Sequence, residues 1–275
     1  MMSKRVIVVL LDGLRFDVAV SSMGYLGHLV ETLQASLYQV RAELPSLSRP
    51  LYEVLLTGTP VSVNGIGAND VVRLSHQQSV FHLATEAGLT TAAAAYSWFS
   101  ELYNHAPFVP QRDRDQHNIH NPIQHGRFYW EDSYPDSHLF ADAEMLRQAY
   151  NPDFFLVHSM GIDHAGHGYG SDSKEYRGYA FLADSLLSHY IPLWREAGYT
   201  LLITADHGMN PDGHHGGTLP DVREVPLFTI GTDSNGEATE PISQLAIAPL
   251  ICTLLDISPA PAMLKSAQAL SLTAS

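Results

Sequence analysis

Cysteine is nearly missing from this chain: Cys252 is the only one in 275 residues. A disulfide within the chain is therefore excluded, and a zinc–thiolate site lacks ligands. Cys252 lies in an apolar run and reads as a small core residue. Positive charge is also scarce. Fifteen Lys and Arg face 29 Asp and Glu, for a net charge of -14. Such a chain suits neither a nucleic-acid polymer nor an anionic membrane. A phosphate substrate is not excluded, because bound divalent cations can dominate the local charge of a site. Long hydrophobic runs are missing too. The run Val6–Leu11 is six residues long and stops at Asp12, too short for a signal-peptide core or a membrane span. The expectations are no membrane partner and a cytoplasmic location. Internal repeats and low-complexity segments are also absent.

What the chain does have is enough length and apolar content, 45%, to bury one large core. Val6–Leu11 reads as a strand buried on both faces of a parallel sheet. Helical spacing predicts a helix over 22–35. Strands are expected at 37–42, 90–96, 154–158, 199–204 and 225–230. Helices are expected at 51–56 (starting near Ser48), 78–87, 137–150, 172–197 with a kink at Pro192, and 242–255. Strands that alternate with helices predict an α/β fold: a mostly parallel central sheet with helices on both faces. The whole chain, 1–275, reads as one catalytic domain. Residues 97–135, rich in His, Asn, Asp, Pro and aromatics without a clear period, read as a small loop-rich inserted cap. Its aromatic and His side chains read mainly as packing against the sheet. The tail after Ile257 reads as loosely held.

Fifteen histidines are many for this length, and their placement matters more than their number. Ligand-type side chains fall just after predicted strands. Asp12 follows the first, Asp163 and His167 the strand at 154–158, and Asp206–His207 the strand at 199–204. In an open α/β sheet, ligands bind outside the carboxyl ends of the strands. Each cluster has a bland reading as a turn or polar loop; together they point to metal. Mixed carboxylate and imidazole donors suit zinc, manganese or iron better than calcium. Two such ions form a clamp for in-line phosphoryl displacement, which also needs a hydroxyl nucleophile. Ser48 lies at a predicted helix start, where an anion is favoured. On residue type alone it reads better as an N-cap.

These segments, in order, resemble the alkaline phosphatase superfamily, most of all its nucleotide pyrophosphatase/phosphodiesterase branch. Asp12-Gly13 resembles the opening motif. Pro45-Ser46-Leu47-Ser48-Arg49-Pro50, with Thr57-Gly58 after it, resembles the nucleophile segment. Asn64-Gly65 and Asn69 resemble the stretch that follows. Asp163-His164-Ala165-Gly166-His167, Asp206-His207-Gly208-Met209 and His215-Gly216-Gly217 resemble the ligand motifs. The resemblance implies two divalent ions, zinc first, with manganese or iron as alternatives. Asp12, Ser48, Asp206 and His207 would surround one, and Asp163, His167 and His215 the other, with His214 as the alternative to His215. Ser48 would be the nucleophile, passing through a phosphoserine on a small phosphate ester. Arg49 and Asn69 are the candidate substrate contacts. The implied activity is a phosphodiesterase or phosphatase; the alternatives are a phosphotransferase, phosphomutase or phosphonate hydrolase, or a non-catalytic metal-binding relative. Three positions depart from the branch pattern: Ser48 replaces threonine, Arg49 an aromatic residue and Leu51 an asparagine. Tyr52 stands where the sulfatase branch needs arginine, which argues against sulfatase activity.

Overall fold

A computed structural model describes residues 4–232, the backbone of 236–237, and residues 241–263. Its strands are β1 (Arg5–Leu11), β2 (Ala35–Arg41), β3 (Thr91–Tyr96), β4 (Asp115–His117), β5 (His125–Tyr129), β6 (Phe154–Ser159), β7 (Tyr199–Thr204), β8 (Glu224–Ile230), β9 (Gly236–Glu237) and β10 (Ile242–Ser243). They form one sheet in the order β10-β2-β8-β7-β1-β6-β3-β5-β4, with β9 also paired to β2. The central strands β7, β1, β6, β3 and β5 are mutually parallel. β8 runs against both β7 and β2, and β4 against β5. The sheet is thus mostly parallel, as the alternating strands and helices predict.

Parallel strands covered on both faces need apolar side chains throughout. β1, β3 and β6 meet that need: Val6–Leu11, Thr91–Tyr96 and Phe154–Ser159 are all buried. Helices Phe16–Ser22, Gly24–Glu31, Asp136–Tyr150 and Lys174–Glu196 pack as one group, and helices Ser48–Thr57, Val80–Glu86, Ser97–Tyr103 and Ile247–Leu255 as another. No helix among the described residues is long and apolar enough to cross a membrane.

The register aligns the ends that matter. Leu11 pairs with Ser159 and Leu10 with Thr204, so the residues just after β1, β6 and β7 emerge side by side. Residues 97–135 are more regular than their composition suggests. They hold the helices Ser97–Tyr103 and Pro110–Asp113, and their strands β4 and β5 extend the sheet beyond β3. Their aromatic side chains mostly pack inward: Phe99 stacks on Tyr52, Trp98 lies near Tyr52, and Tyr103 meets Phe81. In the tail, Ala260 and Met263 are buried; 264–275 lie outside the described residues.

Candidate metal centre

Two clusters of ligand-type side chains converge at these strand ends. One is Asp12, Asp206 and His207; the other is Asp163, His167 and His215. Within each cluster the candidate donor atoms lie within 4.8 Å of one another. The clusters abut, because the rings of His207 and His215 stack with centroids 3.9 Å apart. Six of the seven residues expected from sequence to surround metal therefore meet here, and the seventh, Ser48, lies beside His207. His215 takes the place for which His214 was the alternative; His214 is exposed.

Local structure explains each position. Asp12 leaves β1 and donates its N–H to the Ser159 carbonyl at 2.9 Å. Gly13 then turns with φ +73°, and a Cβ there would sit 3.0 Å from the backbone and side chain of Asp163. Glycine is what lets the β1 turn approach the helix Gly161–Tyr169. That helix carries Asp163 and His167 at i and i+4, on one face. Its first turn is fixed by Asp136, whose carboxylate accepts from the Ser159 hydroxyl at 2.6 Å and from the Gly161 N–H. Asp206 accepts from the Gly13 N–H at 3.2 Å, and its carbonyl accepts from Gln244 Nε2 at 2.7 Å.

The donor chemistry fits divalent cations. Asp12 Oδ1, Asp163 Oδ1 and Asp206 Oδ2 are buried and lack any hydrogen-bond partner. Buried carboxylate oxygens without partners are costly. Among the described residues, the ion-pairing partners of these three carboxylates are all histidines. The histidines are prepared in the same way. Nδ1 of His207, His167 and His215 faces the carbonyl of Gly208, Gly213 and Ser46 at 3.0, 2.8 and 2.8 Å. Each Nδ1–H donates to that carbonyl, which leaves Nε2 as a lone pair facing the carboxylates. The Nε2 atoms of His167 and His215 lie 3.2 Å apart, a crowding that a shared cation relieves.

The electrostatics agree. Burial, then the field of His215, pushes His207 down to about 3. Burial also lowers His215, so both rings are neutral and free to ligate. Burial raises Asp163 and Asp206 well above the usual carboxylate range, with the charge of Asp12 next. Burial acts the same way on Asp12, but the His158 hydrogen bond, the neighbouring imidazoles of His207 and His158 and the Tyr52 hydrogen bond together outweigh it, and Asp12 is held at about 2. The protein alone cannot keep three clustered carboxylates ionised; bound cations would reverse that balance.

Ser48 is the first residue of the helix Ser48–Thr57, whose N-cap is Leu47, and no side chain caps it. Its Oγ lies 3.0 Å from His207 Nε2. Ser48 is therefore not an N-cap; its hydroxyl belongs to the Asp12–Asp206–His207 cluster. Arg49 is buried and pinned. It donates from Nη2 to Glu101 at 2.6 Å and from Nε to the Asn69 carbonyl at 2.8 Å, and its guanidinium lies 4.5 Å from the Trp98 ring centroid. Nη1 has no partner. Asn69 Oδ1 accepts from the Arg49 N–H at 3.1 Å, so Asn69 holds Arg49 in place.

Sequence reading missed His158, Tyr129 and Glu101, and took Tyr52 only as the position where the sulfatase branch needs arginine. His158 is a polar residue ending an otherwise apolar strand, and Tyr52 follows Ser48 by one helical turn. Both were visible as anomalies but carried no motif.

Known proteins resemble this chain in sequence and in fold. The model of the family described as type I phosphodiesterase / nucleotide pyrophosphatase matches residues 6–216. Mouse GPI ethanolamine phosphate transferase 3, catalytic subunit, is 25% identical over 283 residues, covering 92% of this chain. The chain spans only 24% of that relative's length. Among solved structures, murine ectonucleotide pyrophosphatase / phosphodiesterase 5 superposes with a TM-score of 0.74 at 14% identity, covering 94% of this chain and 96% of that one. The alkaline phosphatase PafA gives 0.73 at 11% identity, with 99% of both chains covered. At these identities the structural matches speak for the fold: the alkaline phosphatase-like architecture.

Proposed function

The chain belongs to the type I phosphodiesterase / nucleotide pyrophosphatase family, and from that premise we propose that it is a metal-dependent enzyme that cleaves a small phosphate ester through a phosphoserine on Ser48. One observation carries the reading. The Ser48 hydroxyl lies at an uncapped helix start, 3.0 Å from His207 Nε2, where partnerless buried carboxylate oxygens converge.

Asp12, Ser48, Asp206 and His207 would hold one ion, and Asp163, His167 and His215 the other. Two divalent ions, with zinc first for this donor set and manganese or iron as alternatives, would supply Lewis-acid charge, lower the pKa of the serine hydroxyl and stabilise the leaving oxygen. The protein's own part is positional. Ser48 Oγ loses its proton and attacks phosphorus; the P–O bond to the leaving alcohol breaks, and the leaving oxygen takes up a proton. The helix start beneath Ser48 favours the anionic phosphoryl group. Arg49 Nη1, left without a partner while Glu101, Asn69 and Trp98 hold the rest of the side chain, would donate to a phosphoryl oxygen. In the second half, water attacks the phosphorus and Ser48 Oγ leaves, regenerating the hydroxyl.

A second reading has its own support. The curated relatives are named as ethanolamine phosphate transferases. In that reading the second attack comes from an alcohol, and the product is a new phosphate ester. The discriminating experiment incubates the protein with p-nitrophenyl phosphate and bis-p-nitrophenyl phosphate, with zinc or manganese, with and without glycerol as acceptor. Products are followed by phosphorus NMR. Hydrolysis predicts inorganic phosphate or a monoester whether or not glycerol is present; transfer predicts a glycerol ester. Turnover that persists unchanged in the presence of a chelator contradicts both.

A further inference from the structure

Asp12 differs from Asp163 in how its two oxygens are used, and from Asp206, whose second oxygen accepts from the Gly13 backbone N–H, in being held by side chains. Oδ1 is buried without a partner. Oδ2 has two partners: the Tyr52 hydroxyl donates to it, and His158 Nε2 lies 3.2 Å away. None of the three side chains is exposed to solvent. The arrangement is held from behind. The Tyr129 hydroxyl lies 2.9 Å from the His158 carbonyl and 3.1 Å from its Nδ1. Tyr52 stacks on Phe99 with centroids 4.4 Å apart and meets the His158 ring edge-on at 4.9 Å. Tyr52 is one helical turn beyond Ser48, so one face of the helix Ser48–Thr57 presents both the hydroxyl aimed at His207 and the hydroxyl that holds Asp12.

We propose that Tyr52 and His158 are positioning residues that reserve Oδ1 of Asp12 for the ion held with Asp206 and His207, and that they make this centre select a small ion of low coordination number. The inference rests on the two-metal reading above. A carboxylate whose second oxygen already accepts two hydrogen bonds offers one oxygen to a cation. Zinc is satisfied by four ligands, whereas calcium takes six to eight oxygens and gains from carboxylates that bind through both. Hydrogen bonds behind a ligand also fix its orientation, and losing them typically costs about 10–100-fold in metal affinity. Asp163 has no such donors behind it; its contacts are with His167 at 3.4 Å and His215 at 3.9 Å. The two centres therefore carry different internal controls.

The test removes the donors and reads metal at both centres. Wild type, Tyr52→Phe, His158→Gln and the Tyr52→Phe/His158→Leu double variant are stripped of metal and titrated with zinc against a chromophoric chelator, with and without calcium. Tyr52→Phe keeps the ring stack, and His158→Gln keeps an N–H at the reach of Nε2. The double variant is expected to bind one zinc as tightly as wild type and the second about 10–100-fold more weakly, with calcium competing better for that second site. His158→Gln is expected to lie close to wild type. Two zinc ions bound with wild-type affinity in the double variant overturn the proposal. So does equal weakening at both centres together with a lower melting temperature of the metal-free protein, which marks a purely structural role. If the double variant does not fold, the same comparison is made on Tyr52→Phe. A wild type that binds fewer than two ions contradicts the two-metal reading itself, a distinct failure.

Discussion

At the residue scale, the most consequential buried group outside the centre is Glu53, on the same helix as Ser48. It is fully buried, accepts from the Tyr103 hydroxyl at 2.9 Å and pairs with Ser75. Burial pushes its carboxyl up to about 7, against the opposing hydrogen bonds from Ser75 and Tyr103. Between about 4.5 and about 7 the folded protein holds a proton on Glu53 that the unfolded chain has released. Its contribution is therefore fully present below about 4.5 and is lost as the pH rises toward about 7. Glu53→Gln copies the protonated form. The difference in unfolding free energy between the variant and wild type is expected to grow in the variant's favour across that window by up to about 3 kcal/mol. Denaturant melts at several pH values measure it; a difference that stays flat with pH contradicts the assignment. Glu53 carries no motif, and only the fold encloses it. Arg49 shows the converse limit of sequence reading. Its position marked it as a candidate phosphate contact, but Glu101, Asn69 and Trp98, which pin it, lie 20 or more residues away along the chain.

At the element scale, the strands were the most legible part, because unbroken apolar runs and the turns after them carry their own signal. Helix boundaries were less so. The helix expected over 22–35 is shorter, Gly24–Glu31, with β2 already starting at Ala35; an unexpected helix, Phe16–Ser22, precedes it across Met23, whose backbone leaves the helical region. The helix expected over 242–255 begins only at Ile247; the segment before it is the short strand β10 and a 3₁₀ turn. Pro249 explains this, since proline is accommodated in a first helical turn but not in a helix interior. Pro192, by contrast, lies inside the helix Lys174–Glu196. The segment holding Asp163 and His167, which also reads as a polar loop, forms the helix Gly161–Tyr169 with its glycines inside it. One of those glycines, Gly166, faces Met209 and Tyr176. Gly208 makes the tightest demand at the centre: a Cβ there would lie 2.1 Å from the Asp221 carbonyl oxygen. Gly208→Ala must therefore push the loop carrying His207 away from the helix Pro220–Arg223. The variant is expected to lose about 1–3 kcal/mol of stability and to bind zinc less tightly at the Asp12 centre. Unchanged melting and zinc affinity would show that the loop yields freely.

At the scale of the whole molecule, the sheet order does what no local motif can. It sets β1 between β6 and β7 in parallel register, so three separate sequence segments deliver their carboxylates and imidazoles to one place. The ordering of the ligand motifs along the chain was readable; their convergence required the topology. The division into two clusters, implied by family resemblance, is matched by the geometry. The hydrogen-bonded support behind Asp12 was not readable, because it joins residues from a helix and from the two strands β5 and β6. The central claim is that Ser48, placed by this topology against the first cluster, takes the phosphoryl group. The most direct measurement mixes the zinc-loaded protein with bis-p-nitrophenyl phosphate, quenches in acid within one turnover, and maps phosphorylation by peptide mass spectrometry. A phosphoryl adduct is predicted on the peptide containing Ser48 in wild type, with none in Ser48→Ala and turnover in that variant reduced by at least about 10³-fold. Normal turnover by Ser48→Ala, or an adduct on another residue, would contradict it.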